Sequence, residues 1–400
     1  MSSNPHESKG SSLFTKEFTT NPFPTYAGLR ETNPMYRCVF PDGQSGWMVT
    51  RYEDAVKAFK EARLIKDRSM IAGISEHQSV FTQNMLFSDP PDHKRLRGLV
   101  QKSFTPRLVE EMRGRIQEIT DELLKELKGR EHIHLIDEFA FPLPIIVICE
   151  ILGVPAEDRD KFRLWSTSLI EGRNGEYAND MQQHMKDFIH YLKFMFEKLR
   201  DTPGSDLISQ LIVSEEDGDT LTEGELYGVV TLLIIAGHET TVNLIGNTVL
   251  ALLEHPEQLE LLRNQPELIH SAIEESLRYN GPVEFSTSRW AREDFDFRGT
   301  RFKKGEMIIV ALSSTNRDSM EFDHPNEFDI TKEKSPHLAF GKGIHMCLGA
   351  PLARLEGEIA IRSLLKHFPL MKLDVDRNDL EWRPGMIVRG VKEIPLSVRE

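Results

Sequence analysis

The sequence predicts a mainly α-helical fold with small β-sheets. Three observations carry that prediction. Apolar residues recur at helical spacing through most of the first 280 positions. One segment, Thr222 to about Glu254, combines a capping box (Thr222 with Glu225) with an apolar run from Val229 to Ala236. After Pro282 the texture changes to strand-like stretches that alternate around Gly299 and Gly305. With 400 residues, the chain can bury a large core and enclose a ligand.

Taken in order, residues 1–20 read as a loose polar tail and residues 21–400 as one domain. Tyr36 to Arg51 is strand-like, turning at Pro41-Asp42-Gly43. Residues 69–90 lack a clear period and read as a long loop with a short helix, a lid candidate. Leu108, Met112, Ile116, Ile119, Leu123 and Leu127 mark one helix. Phe141 to Gly153 is a buried segment entered through Pro142 and Pro144, and residues 157–200 hold two or more helices. Asp201 to Ser205 is a surface turn. The helix from Thr222 spans nearly 50 Å at ~1.5 Å per residue, and shorter helices continue to Arg278. Strands follow at Phe285–Arg292, Phe295–Phe302 and Met307–Leu312. A last helix covers about Pro351 to His367, and Trp382 to Val398 is hairpin-like.

Composition excludes several classes. The net charge of −14 argues against nonspecific nucleic-acid binding. Three cysteines, Cys38, Cys149 and Cys347, build no disulfide framework and fit a reducing cytosol. The densest apolar run falls short of the ~20 residues that cross a bilayer, and Met1 to Ser12 lacks a signal core. A cytoplasmic protein with no membrane or nucleic-acid partner is expected.

Four motifs carry chemistry. Phe340-Gly341-Lys342-Gly343-Ile344-His345-Met346-Cys347-Leu348-Gly349 is the first. A lone cysteine is usually a small buried hydrophobe. Here, glycines let the backbone approach a flat ligand, Phe340 can pack on an apolar ring, and a helix begins just beyond at Pro351. Its N-terminus favours a negative sulfur. Zinc would need about four close ligands, and only His345 and Cys347 are offered. A dinucleotide loop would need glycine at 346, which is Met346. The second motif, Ala236-Gly237-His238-Glu239-Thr240-Thr241, sets polar groups in the most apolar helix, where they are costly unless paired or useful. A zinc-protease helix would need histidine where Val242 stands. Third, Glu275-Ser276-Leu277-Arg278 puts two charges on one helix face, a spacing shared by Glu110/Arg113, Glu197/Arg200 and Glu260/Arg263. Fourth is Asp89-Pro90-Pro91-Asp92-His93-Lys94-Arg95-Leu96-Arg97, on its own a basic helix start after a proline loop.

The ten-residue cysteine loop resembles the haem-binding signature of the cytochrome P450 family, and the other motifs follow in family order over about residues 20–400. General texture is nearest to soluble bacterial members that oxidise polyketides and macrolides. The resemblance implies a triangular-prism fold around one buried haem b, with Cys347 as axial thiolate. Phe340, Gly341 and Gly349 of the loop and Ala236 and Gly237 of the long helix would line the cofactor, Gly237 opening a groove beside the iron. Glu239 and Thr240 would be the acid–alcohol pair of the proton relay. His93, Arg97, Arg289 and His345 would hold the propionates, which need buried cations. Lys94 and Arg95 keep the plain helix-start reading. Glu275 and Arg278 would brace the haem loop; since Lys332 stands where the family often has arginine, His337 is the expected third member. Asn316-Arg317-Asp318 fits a structural family motif.

The activity implied is monooxygenation: one atom of dioxygen enters a C–H bond of a bulky hydrophobic substrate such as a polyketide, steroid or fatty acid. Electrons would come from a separate ferredoxin or flavodoxin with its NAD(P)H reductase, docking near Lys342, Arg354 and Arg107. A monomer is expected. Family position puts Met85, Phe87, Leu169, Ile170, Ile235, Val283, Phe285 and Ile387 at the substrate pocket, although some would simply be core. The rival readings are a peroxide-driven peroxygenase and a non-catalytic haem-binding protein that recruits a partner.

Overall fold

The computed structural model describes residues 13–71, 80–171, 179–213, 220–332, 335–383 and 386–398. They form two compact units. The first draws on Met1–Ser75, Asn247–Cys347 and Val375–Lys392; the second on Glu76–Gly246, Leu348–Asp374 and Glu393–Glu400.

The first unit is built on a five-stranded sheet in the order Met35–Val39, Ser45–Val49, Met307–Val310, Arg289–Ala291, Leu64–Ile65. The first two strands form the expected hairpin, with Met35 opposite Val49. The second pairs in parallel with Met307–Val310, Gly46 opposite Met307. Ala55, Phe59, Phe302 and Ile308 fill one core cluster and Phe18, Tyr26, Phe40 and Met48 another. Phe18 belongs to the helix Lys16–Thr20, which Thr15 caps by accepting from the Phe18 amide at 3.2 Å. That helix lies inside the stretch expected to be tail: burying Phe18 against Tyr26 orders it, while residues 1–12 lie outside the described residues. The hairpin Phe295–Phe302 turns on Arg298 and Gly299, both at positive φ. The strand expected over 285–292 shrinks to Arg289–Ala291, with Phe285 making only an isolated bridge to Ala311.

Helix Ile269–Asn280 carries the charged pair of the third motif. Arg278 grips Glu275 with both arms, Nε to Oε2 at 2.7 Å and Nη2 to Oε1 at 2.6 Å. Neither side chain is more than 1% exposed. The remaining guanidinium N–H groups donate to the carbonyls of Asn316, Pro325 and Glu327. The third member is Lys332, whose Nζ lies 3.2 Å from Glu275 Oε1. His337 instead faces Glu274 at 3.3 Å and accepts from the Ala339 amide. The expectation for His337 is therefore corrected: the longer lysine reaches the carboxylate.

The second unit is mostly helical. The periodic stretch 108–127 forms two helices, Pro106–Glu111 and Arg113–Glu126, joined at Met112. Helix Pro142–Leu152 is buried on nearly every side and ends at Gly153 with φ 79°. Helices Arg159–Glu171 and Met181–Asp201 follow. The three-stranded sheet orders His132–His134, Pro395–Ser397, Lys372–Leu373. The C-terminal stretch is thus not one hairpin: Trp382 bridges Val391, whereas Pro395–Ser397 pairs elsewhere.

The long helix is Glu223–Glu254. Its capping box is made: the Glu225 amide donates to Thr222 Oγ1 at 3.2 Å and the Thr222 amide to Glu225 Oε2 at 2.8 Å. By length and composition the helix could cross a membrane, contrary to the sequence expectation, but 67% of its most apolar window is buried in protein, as in a core helix. Glu356, on helix Ala350–His367, is fully buried, and neither of its oxygens makes a hydrogen bond of ordinary geometry. Burial pushes its carboxyl up to about 8, tempered by the Thr241 hydroxyl.

Two measurements check these packing statements. Arg278→Gln takes both guanidinium arms from the buried Glu275 carboxylate, leaving it Lys332, and should cost about 3–5 kcal/mol in chemical denaturation; a loss under about 1 kcal/mol contradicts the bracing role. For Glu356 the folded chain keeps a proton that the unfolded chain releases above the ordinary glutamate range. Wild type therefore loses stability as pH rises towards about 8, by at most about 1.4 kcal/mol per unit. Glu356→Gln lacks this term, so its stability relative to wild type should grow from about pH 5 to about pH 8; a constant difference contradicts the buried, protonated acid.

Candidate active site

In the first unit, hydrogen bonds shape the cysteine loop. Cys347 donates its amide to Phe340 O at 2.9 Å, Met346 to Gly343 O at 3.1 Å, and Gly341 to Leu338 O at 2.8 Å. Gly343, at φ 81°, has no room for a side chain: a Cβ would lie 2.9 Å from Phe59 O. Cys347 is exposed. The other thiols differ: burial pushes those of Cys38 and Cys149 up to about 12. His345 ends the single turn Gly343–His345, and Arg289 is 5% exposed with its guanidinium 5.3 Å from the Phe59 ring. Among the described residues, no group of three or more His, Cys, Asp or Glu is placed to hold a metal ion. One exposed sulfur, in a unit that also carries Arg289 and His345, fits a metal that brings its own macrocycle and leaves one axial position to the protein. The residues present therefore fit haem.

In the second unit, the long helix runs unbroken through the second motif. His238 Nδ1 donates to Ile234 O at 2.7 Å, and its Nε2 sits 3.3 Å from Ser166 Oγ and 4.0 Å from Glu239 Oε2. Thr240 Oγ1 donates to Ala236 O at 3.2 Å. Asn243 Nδ2 donates to Glu239 O at 2.8 Å and reaches Glu239 Oε1 at 3.5 Å. Glu239 is buried, while Thr240 is half-buried and Ala236 exposed. A Cβ on Gly237 would lie 2.9 Å from Ile148 Cγ1, so this glycine serves close packing against helix Pro142–Leu152.

Helix Asp92–Ser103 places His93 and Arg97 one turn apart on a shared face, His93 buried and Arg97 half-buried. Arg95, read as part of a plain basic helix start, forms an ion pair with Glu225 of the capping box. Gly349 is the N-cap of helix Ala350–His367.

The expected pocket residues divide. Met85 is buried, and Phe87 and Ile235 are half-buried. Leu169 and Ile170 lie on helix Arg159–Glu171, with side chains outside the described residues. Phe285 is corrected to core: it is 1% exposed and meets the rings of Phe14, Tyr26 and Phe40. Val283 bridges Val388, and Ile387 is 47% exposed with its carbonyl taken by the Glu284 amide. Arg107 is exposed and pairs through Nε with Glu111 at 2.8 Å. Asn243 and Glu356 were missed. Asn243 was legible as one more polar residue in the apolar helix; a single glutamate in an amphipathic helix gives no such signal.

The family model for cytochrome P450 matches residues 161–398. The polyketide biosynthesis cytochrome P450 PksS of Bacillus subtilis is 41% identical over 96% of this chain and 97% of its own length. Its solved structure superposes with a TM-score of 0.93 at 40% identity, covering 98% of this chain and 100% of that one. The vitamin D(3) 25-hydroxylase of Pseudonocardia autotrophica is 44% identical, covering 96% of each chain. The myxobacterial cytochrome P450 CYP267B1, solved in complex with myristic acid, gives a TM-score of 0.92 at 39% identity over 97% of this chain and 99% of that one. With the mainly helical fold and the loop geometry, these likenesses establish that the chain belongs to the cytochrome P450 family, as a monooxygenase with a haem-thiolate cofactor.

Proposed function

We propose that this monooxygenase hydroxylates a bulky hydrophobic substrate of the polyketide or macrolide class, using haem b held by Cys347. The observation that carries the ligand assignment is the exposed Cys347 on its hydrogen-bonded loop, set against two thiols held protonated by burial. The name of the polyketide relative supports the substrate class; the vitamin D(3) hydroxylase and the myristic acid complex make sterols and fatty acids the next classes to try. When bound, haem supplies dioxygen activation and oxygen insertion, with a cysteine thiolate favouring O–O cleavage.

The chain's own residues do the rest. Arg289, His345, His93 and Arg97 would neutralise the propionates of a bound haem. Phe340, Gly341, Gly349, Ala236 and Gly237 would line that haem. Glu239 is the buried carboxyl group through which a proton would pass, with Asn243 and His238 beside it. Thr240, its hydroxyl fixed by Ala236 O, passes that proton towards the reacting side of the helix. Met85, Phe87 and Ile235 of the second unit would face the substrate. Electrons come from a separate ferredoxin or flavodoxin with its NAD(P)H reductase, attracted by Lys342 and Arg354. The enzyme works as a cytoplasmic monomer.

Thr240→Ala separates this reading from a peroxygenase. Product formation with electron donors should fall about 100-fold or more, with peroxide-driven turnover kept. Undiminished donor-supported turnover would remove the relay.

A further inference from the structure

We propose that the first unit carries an anion-binding site, in a cavity bordered by Arg317, Arg377 and Arg389, for a small organic molecule bearing a phosphate or carboxylate group. The cavity measures 520 Å³ and is bordered by no residue assigned above to haem, proton relay or substrate. Its volume is within the range of small-molecule sites, roughly 300–1,000 Å³.

Charge is the argument. Three arginines border the cavity against one carboxylate, Glu254. Arg377 Nε already pairs with Glu254 Oε1 at 2.6 Å. Arg389 donates to Asn280 Oδ1 and to the carbonyls of Thr19 and Thr20, with Glu284 Oε2 behind it at 3.5 Å. Arg317 differs. It is 6% exposed, yet among the described residues no carboxylate pairs with it. Its Nε and Nη2 both donate to Tyr279 O, and its carbon centre is sandwiched 3.5 Å from the Phe23 ring and 3.8 Å from the Tyr279 ring. Its Nη1 makes no hydrogen bond among the described residues.

Two aromatic faces offset part of the cost of burying this cation. Burying an unpaired cation is strongly unfavourable. Burial, reinforced by Arg278 and Arg389, lowers the Arg317 guanidinium to about 10, so it remains charged at neutral pH. A bound oxyanion would supply the missing counter-charge, and the planar guanidinium fork matches phosphate and carboxylate oxygens. In a chain of net charge −14, a local cationic excess is not a general surface property.

Isothermal titration of the haem-loaded enzyme with pyrophosphate and with citrate, at ionic strength matched by chloride, tests this. Saturable one-site binding with a dissociation constant below about 1 mM is expected for at least one probe. Binding of pyrophosphate alone assigns the phosphate class, of citrate alone the carboxylate class, and of both the shared oxyanion chemistry. Arg317→Gln should abolish binding. Should that buried substitution fail to fold, the half-exposed Arg377→Gln should still weaken it about tenfold or more. No saturable heat from either probe at about 10 mM, or wild-type affinity in the folded variants, would overturn the site.

Discussion

The buried ion pair of Glu275 and Arg278 is the constraint on which the first unit's cysteine loop depends. Arg278 fixes the carbonyls of Asn316, Pro325 and Glu327. Asn316 Oδ1 in turn accepts from the Leu338 amide at 2.7 Å. Leu338 O takes the Gly341 amide, and Phe340 O takes that of Cys347. A continuous run of hydrogen bonds thus leads from the ion pair to the sulfur-bearing residue. Glu110 and Arg113 have the same spacing and form a 2.6 Å pair, but half or more of each side chain is exposed. Exposed pairs of that kind contribute about 0–1 kcal/mol. Burial, not spacing, makes one of these pairs architectural.

The second unit solves a different problem, that of placing polar groups inside an apolar helix. His238, Thr240 and Asn243 each return a hydrogen bond to the carbonyl four residues earlier. One polar group of each is thereby satisfied within the helix, while His238 Nε2 faces Ser166 of another helix and Asn243 Oδ1 finds no hydrogen-bond partner among the described residues. Glu239 keeps its carboxyl oriented by the neighbours so anchored. The motif can therefore sit mid-helix without breaking it, and Gly237 lets that helix approach Ile148.

Features with a local physical signature were legible in the sequence. The Thr222–Glu225 capping box and the helix beginning beside Pro351 depend on residues a few positions apart, and each stands as read. Partners chosen over long sequence distances were not legible. Lys332 rather than His337 reaches Glu275 because a flexible four-carbon stem can cover a gap that an imidazole cannot. Phe285 belongs to an aromatic core assembled partly from residues 14–40, which no local pattern indicates. The cost of burying Glu356 is equally invisible until the helix that carries it is packed. At the candidate site, motif order indicated which residues to inspect, while the hydrogen-bonded cysteine loop and the Arg95–Glu225 pair emerged from the fold.

The central claim is that Cys347 is the thiolate ligand presented by this loop. The most direct test is the carbon monoxide difference spectrum of the reduced protein, recorded for wild type and Cys347→Ser. A strongly red-shifted Soret band in wild type that is lost in the variant is the result this account predicts. A band of histidine-ligated type in freshly prepared wild type, or a red-shifted band that survives in Cys347→Ser, would contradict it.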